Sequence, residues 1–466
     1  MISGASLAVQ QLAIGQATGG HHVLVLAASD RPPGYTIKSG GLQITRLPSW
    51  YNPYRVGQRL LLWPQRAILA ALAKFHPDVI HLHEPFGIGL IGLQAARRLQ
   101  IPVVFTAHQL PWFAAAYTPD LLGLPHLVEK TTWQYARWFL RRCAAVIAPT
   151  TTIAKIVQER LHFPIQVVNY GADLHRFQPF PAIPAEARQL RHKYGLDPHL
   201  PVILHVGRLD VEKQVDLLVH AAAQVMGQMA VQFLIVGDGC QRQNLSQLSQ
   251  TLGVAKQCHF PGYILPEDDL PGLYRLASAF ITASQIETFG IVVLEAMACG
   301  LPIIAANATC MPELVRPYKN GFLVPPNDSA AIAQHILWLL QHPEVADRLS
   351  EASYVMAQHY TVSRMIQEVT AIYTAVHHTQ LRQITPIASK LSLIADAEAF
   401  NRQKTDGAHQ HQQAAHSQGL AVIECTGLAE KAEDGHGEGG RLWAGNENGG
   451  SKFAHADREG KDRADQ

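Results

Sequence analysis

With 466 residues, 47% of them hydrophobic, the chain has room for two ordinary domains and a tail. Its net charge of +1 lacks the basic excess that phosphate binding leaves, which argues against a nucleic-acid partner. No stretch reaches the roughly 18 uninterrupted apolar residues of a membrane span, and Met1–Gly20 has no basic head followed by an apolar run, so no secretory signal is visible.

In chain order, strands are predicted at His22–Ala27, Gln43–Leu47, Val79–Leu82, Val103–Thr106, Ala145–Ala148 and Gln166–Val168. Amphipathic stretches such as Arg66–Phe75 and Gly89–Leu99 lie between several of them. A second series of strands follows at Val202–Val206, Gln232–Val236, His259–Phe260, Ala279–Thr282, Pro302–Ala305 and Phe322–Val324. Its helices are expected at Val215–Met226, Cys240–Leu252, Glu267–Leu276 and Gly290–Cys299. Alternating β and α units with apolar strands mean parallel sheets covered on both faces. The expected class is therefore α/β, with two doubly wound, Rossmann-like domains facing a cleft. The first spans residues 1–178, a Pro-rich linker 179–200, the second domain 201–360 and a terminal helix 361–380. Residues 381–466 turn to Gln, His, Gly and mixed charge, and apolar periodicity survives only at Gly419–Glu424. This segment is expected to be a disordered tail.

The six cysteines, Cys143, Cys240, Cys258, Cys299, Cys310 and Cys425, form no C-x-x-C pair. Free thiols in a reducing compartment are expected, and hence a cytoplasmic protein. The 24 histidines invite a metal reading, but His81 with His83, and His21 with His22, bring no carboxylate or third ligand at ligand spacing. No metal is expected.

Two blocks carry the chemistry. At His205–Lys213 a buried strand ends at Gly207, and Arg208 and Lys213 emerge at the carboxyl edge of the sheet. A forked guanidinium and a mobile ammonium five residues apart suit a diphosphate; a solvated turn fits the same residues. In Ser284–Gly300 a strand runs into a loop, and a helix opens near Gly290, where unpaired N–H groups favour an anion. Glu287 and Glu295 frame that helix start. Glu295 lies on an otherwise apolar helix, where a carboxylate needs partners. Paired ribose hydroxyls would satisfy it, as would nearby backbone, and two carboxylates also suit a glycosidase. Gly237–Asp238–Gly239 resembles half of a dinucleotide fingerprint, but Arg242 stands where a third Gly would fall, so a tight turn is expected.

Taken together, Glu287–x7–Glu295, the Gly-Arg…Glu-Lys turn, Gly237–Asp238–Gly239, Phe260–Tyr263 and Asn320–Pro325 resemble the retaining group 1 glycosyltransferases of GT-B architecture, over about residues 1–378. The resemblance implies a hexose donor carried as a nucleotide-diphosphate sugar, with no cofactor and no metal. Arg208 and Lys213 would then neutralise the diphosphate beside Gly207, and Glu295 would bind the ribose. Glu287 with the Phe289–Gly290–Ile291 backbone would hold the sugar and phosphate, and Gly262–Tyr263–Ile264 would bracket the base. His108 falls where the family places a histidine beside the transferred sugar, with His83 and Gly4 on the acceptor side. Asn169–Tyr170–Gly171–Ala172–Asp173 resembles the family's Asn-Gly-Val-Asp turn and is expected to be structural.

Aromatics mixed with arginine at His108–Phe113 and Trp133–Arg142 suit a peripheral membrane contact, or an interior helix with a basic rim. The interior helix is the slightly favoured reading of these residues; the resemblance to lipid-directed family members, such as diacylglycerol glucosyltransferases and phosphatidylinositol mannosyltransferases, leaves a membrane lipid such as diacylglycerol, met at the inner face of the membrane, as one acceptor class, and the acceptor stays open. A non-catalytic sugar-nucleotide binder and a GT-B-fold epimerase are the competing readings. One element breaks the pattern. Met1–Ser6 looks like the Gly-rich loop that follows the family's first strand, and that strand is absent, which suggests a truncated chain.

Overall fold

The computed structural model describes residues 4–31, 33–51, 59–61, 64–108, 124–179, 184–380 and 419–423. The N-terminal half contains β1 (His22–Ala28), β2 (Tyr35–Ser39), β3 (Leu42–Leu47), the short pair β4 (Trp50–Tyr51) and β5 (Arg59–Leu60), then β6 (Val79–Leu82), β7 (Val103–Thr106), β8 (Ala145–Ala148) and β9 (Gln166–Val167). The C-terminal half contains β10 (Val202–Val206), β11 (Gln232–Val236), β12 (Cys258–Gly262), β13 (Ala279–Thr282), β14 (Ile303–Ala306) and β15 (Gly321–Val324). A last strand, β16 (Gly419–Ile423), comes from the tail.

Strands β10, β11, β13 and β14 are buried along their whole length, because helices cover both faces of a parallel sheet. The C-terminal sheet runs β12-β11-β10-β13-β14-β15. Every neighbouring pair is parallel. Strand order reverses between β10 and β13, and in such sheets ligands bind outside the carboxyl ends at that switch point.

The N-terminal sheet has eight strands in the order β2-β3-β1-β16-β6-β7-β8-β9. Only β2 and β3 pair antiparallel. Strand β16 lies between β1 and β6, parallel to both. Residues 419–423 thus depart from the expected disordered tail. Their apolar Leu-Ala-Val-Ile run finds two unpaired strand edges, and burial there outweighs the polar context. The rest of that tail lies outside the described residues, as do Met1–Ser3.

Two further differences are local. The expected linker contains a helix, Pro184–Lys193, whose Leu190 enters the core and whose Glu186 pairs with Arg275 at 2.8 Å. The β2–β3 hairpin was only half predicted, because β2 is mostly exposed and carries no apolar run. The helix over residues 362–380 returns to the N-terminal half. Ala172 N–H donates to the Tyr360 carbonyl at 2.9 Å, and Gln16 Nε2 to Thr370 Oγ1 at 2.7 Å. Among the described residues no helix is long and apolar enough to cross a membrane.

Candidate functional site

The loops after β10 and β13 meet at the switch point of the C-terminal sheet. His205 on β10 ties the two strands together, its Nδ1 donating to the Ile281 carbonyl at 2.9 Å. Burial lowers this imidazole to about 4, so it is neutral. Beyond Gly207 the chain turns, and Arg208 pairs with Asp210 and Glu212. Lys213 crosses the switch point, its Nζ lying 2.5 Å from Glu287 Oε2. Two residues singled out for separate roles therefore form one ion pair, partly screened from solvent. Gly237, with a φ of 142°, packs its backbone against the Gly207 loop; an added Cβ would lie 1.8 Å from the Gly207 carbonyl oxygen. The Gly-Asp-Gly turn is thus a packing device.

The loop from Ser284 to Phe289 is braced before its helix begins. Ser284 Oγ donates to the Ile286 carbonyl at 3.1 Å, and Glu287 N–H to Thr309 Oγ1 at 3.1 Å. Gly290 then takes a φ of 86° and opens the helix Ile291–Ala298 without a side-chain cap. The first N–H groups of this helix are left for an anion. Phe289 and Ile291, on either side, are buried.

Glu295 is 4% exposed and accepts a hydrogen bond from the Tyr274 hydroxyl at 2.9 Å. Burial pushes its carboxyl up to about 7, while the Tyr274 bond and the Arg176 charge pull it down. Tyr274 partly answers the question of how an apolar helix tolerates this group. Of the residues expected to bracket the base, Gly262 has a φ of 88° and its carbonyl accepts the Gly237 N–H at 2.9 Å. The Arg242 guanidinium stands beside Gly262 and donates to the Phe260 carbonyl at 3.0 Å. Ile264 is buried, while Tyr263 is partly exposed at the rim.

Across from this helix, the N-terminal sheet presents three imidazoles at the ends of β6 and β7. His81 bonds Tyr373 and Thr106, each at 2.7 Å. His83 Nδ1 lies 2.8 Å from His108 Nε2, and His108 Nδ1 is bonded to the Tyr170 hydroxyl. Burial lowers His81 and His108 to about 3, and His83 well below its ordinary value. All three are neutral hydrogen-bonding groups in this state.

Tyr170 links the two halves. Its ring lies 4.9 Å from that of Phe289, centroid to centroid, and Gly4 sits against Ile291. His83, His108 and Gly4 are therefore brought to the same cleft as the helix Ile291–Ala298. Sequence reasoning treated Tyr170 as part of a structural turn and did not single out Tyr274 or Glu313. Glu313 accepts the backbone N–H groups of Thr151 and Thr152 at 3.0 and 2.6 Å, capping the helix Thr151–Leu161 from the opposite domain. A tyrosine on the apolar helix Leu270–Leu276 was the one available sign of a partner for Glu295. Among the described residues no group of three or more His, Cys, Asp or Glu could hold a metal ion.

The sequence and the fold resemble those of known proteins. Residues 2–176 fit the family model of Glycosyltransferase Family 4, and residues 186–356 that of glycosyl transferases group 1. The chain is 34% identical over 314 residues to a GDP-mannose-dependent alpha-mannosyltransferase of Mycobacterium tuberculosis, covering 66% of this chain and 76% of that protein. It is 26% identical over 379 residues to an alpha-monoglucosyldiacylglycerol synthase of Acholeplasma laidlawii, covering 80% and 94%. Among solved structures, the sucrose-phosphate synthase of Thermosynechococcus elongatus superposes with a TM-score of 0.67 at 23% identity, over 81% of this chain and 94% of that one. Anabaena HepE in complex with UDP and glucose gives 0.64 at 20% identity, over 80% and 97%. The chain belongs to the group 1 glycosyltransferases and has the GT-B fold.

Proposed function

We infer that the chain moves a hexose from a nucleotide-diphosphate sugar to an acceptor hydroxyl with retention of configuration, and that the acceptor is a membrane lipid such as diacylglycerol. The observation that carries the donor half is the Lys213–Glu287 pair beside the Gly290 helix start, at the carboxyl edge of the switch point. A diphosphate placed there meets helix N–H groups and a cation that now neutralises only a carboxylate. The acceptor oxygen attacks the anomeric carbon as the bond from that carbon to the diphosphate oxygen breaks. The hydroxyl proton passes to the departing phosphate, and Arg208, Lys213 and the helix dipole stabilise the charge that develops. Glu295 holds the ribose hydroxyls and Glu287 the sugar hydroxyls, while His108, whose two ring nitrogens are engaged by His83 and Tyr170, shapes the cleft beside the transferred sugar. No protein-bound metal or cofactor enters this scheme.

A lipid acceptor is supported by the helix Leu124–Leu140 and its neighbours. Trp133 and Phe139 are buried in the core, whereas Leu127, Trp138 and Phe86 are exposed. The Arg142 guanidinium lies 4.2 Å from the Trp138 ring. Exposed apolar side chains rimmed by arginine suit an anionic interface. Residues 109–113, the other aromatic stretch in the sequence, lie outside the described residues. The relative from Acholeplasma laidlawii is a glucolipid synthase, which also favours this acceptor class.

The deciding experiment incubates the protein with labelled UDP-glucose and GDP-mannose, with and without anionic vesicles carrying diacylglycerol. Nucleotide release that needs the vesicles, with an alpha-linked product by proton NMR, is the expected result. Isomerised sugar without acceptor would establish an epimerase instead, and binding without turnover a non-catalytic binder.

A further inference from the structure

Arginines gather where β1 and β3 end. Arg46, on β3, is only 6% exposed. Its Nη1 donates to the Ala28 carbonyl at 3.1 Å, and its Nε is buried with no partner. Arg59, half-buried on β5, donates its Nε to the Ser29 carbonyl at 3.0 Å and to Ser49 Oγ at 3.1 Å. Arg31 lies over the Tyr35 ring, 4.4 Å from its centroid. Asp30 stands at the same corner, where its Oδ1 accepts from the Tyr35 hydroxyl at 2.7 Å. Among the described residues no ion pair joins Asp30 or any other carboxylate to these arginines.

A guanidinium taken out of water is costly unless it is paired, and a carbonyl supplies only a dipole. The Ala28 and Ser29 carbonyls and the Ser49 hydroxyl therefore orient Arg46 and Arg59 without balancing their charge. A buried polar group that finds no partner within a fold calls for one from outside it. Two oriented guanidinia beside adjacent carbonyls suit an oxyanion, which accepts forked N–H bonds.

The corner faces the same way as the imidazoles. Ala27 is in register with Arg46, and Val25, two residues earlier, with Val422, whose other neighbour is His81. Side chains alternate along a strand, so Arg46 and His81 share one face of the sheet. His83 joins them, its ring centroid 4.0 Å from that of His81. Strands β1, β16 and β6 run parallel, so Ser29 and His83 both lie at their carboxyl edge. The Arg46 guanidinium reaches back to β1, which is two strand spacings, about 10 Å, from β6.

We propose that Arg46 and Arg59 form a phosphate-binding site at the carboxyl edge of β1 and β3, and that it receives a phosphate ester in the headgroup of the acceptor lipid. The site stands on the two arginines; the assignment of its phosphate to an acceptor rests on the transfer reading above. A neutral lipid such as diacylglycerol would leave both guanidinia unpaired. A polyol between phosphate and reacting hydroxyl extends the headgroup from this corner toward His83, so the acceptor class is a phospholipid with a hydroxylated headgroup.

Binding to the full chain is measured first, without any nucleotide sugar. Glycerol 3-phosphate, glycerol and inorganic phosphate are titrated by calorimetry, with UDP and GDP in excess to keep phosphate from the Gly290 helix. Glycerol 3-phosphate should bind and glycerol should not. Arg46→Met and Arg59→Gln should each weaken glycerol 3-phosphate about 10- to 100-fold. Arg46→Met also removes an unpaired buried cation, so the melting temperature of the free protein should hold or rise. A purely structural arginine would lower it. Arg59 is half-buried, so Arg59→Gln reads the site even where Arg46→Met fails to fold. The proposal is overturned if both variants bind glycerol 3-phosphate as the wild type does. Inorganic phosphate binding more tightly than glycerol 3-phosphate would overturn the acceptor assignment, because the site then takes the free ion.

Transfer is the second arm. With phosphatidylglycerol vesicles as acceptor, Arg59→Gln should raise the acceptor KM about tenfold or more, with a much smaller change in kcat. Transfer to diacylglycerol but not to phosphatidylglycerol would overturn the acceptor assignment. Absence of transfer to any lipid, with phosphate binding still lost in both variants, would sink the proposed function and uphold the site.

Discussion

His83 and His108 share a single hydrogen bond between two buried imidazoles, Nδ1 to Nε2 at 2.8 Å. One proton serves both atoms, and the second nitrogen of His108 is taken by Tyr170. Charging either ring would bury a cation. His81 and His108 are lowered to about 3 in the folded protein, against 6.5 for a free imidazole. The unfolded chain therefore binds protons between about pH 6.5 and pH 3 that the folded chain refuses. Stability from these groups is complete above pH 6.5 and is lost as pH falls, by up to about 1.4 kcal/mol per pH unit for each imidazole. Urea unfolding at pH 7, 6 and 5 should show this slope, and His108→Gln should reduce it by one proton. An unchanged slope in His108→Gln would refute the buried neutral state.

Glu295 gives the opposite sign. Its folded carboxyl is raised to about 7 from an ordinary value of 4.5, so the folded state holds a proton that the unfolded chain releases. The stability it contributes is complete below about pH 4.5 and is lost as pH rises through 7, on the order of 3 kcal/mol. The histidines act in the same pH range, so the effect is read as the difference between wild type and Glu295→Gln. That difference should shrink steadily from pH 4.5 to 7. A constant difference would mean that Glu295 is already ionised.

Most strands were legible because a parallel strand buried on both faces must be a continuous apolar run, and Val202–Val206 or Ala279–Thr282 admit few other readings. The helix start at Gly290 was legible from the missing side chain and the apolar run that follows. Legibility failed where a contact depends on distant chain. Leu420–Val422 sit in a tail whose composition argues for disorder, and only two open strand edges make them a strand. Tyr170 looks like a turn residue until the fold sets it between His108 and Phe289. Lys213 reads as a cation for a diphosphate, because nothing local shows that Glu287, 74 residues away in sequence, engages it.

The interdomain cap by Glu313 can be tested without substrate. Its carboxylate accepts two N–H groups at the start of Thr151–Leu161, where Thr150 Oγ1 already accepts from Ile153 at 3.3 Å. A charged cap at a helix N-terminus stabilises through both hydrogen bonds and the dipole. Glu313→Ala should cost about 1–2 kcal/mol and widen the scattering envelope by loosening one half against the other. Glu313→Gln should recover part of the stability. An unchanged envelope with unchanged stability would show that the contact does not hold the halves together.

The Lys213–Glu287 pair separates binding from folding. Both side chains are partly exposed, at 16% and 22%, so solvent screens their attraction and its share of stability is about 1 kcal/mol or less. In the proposed reaction the same ammonium faces the leaving diphosphate, where charge develops as the sugar bond breaks. Lys213→Ala should then lower kcat/KM by about 10²–10³, while the melting temperature moves by only a few degrees. Glu287→Gln frees the lysine but removes a contact to the sugar hydroxyls, so nucleotide affinity should hold or rise as turnover falls. UDP and GDP titrations of both variants give the affinities, and transfer assays give the rates. If Lys213→Ala binds nucleotide diphosphate as the wild type does and turns over at the same rate, the cation serves Glu287 alone and the diphosphate site lies elsewhere.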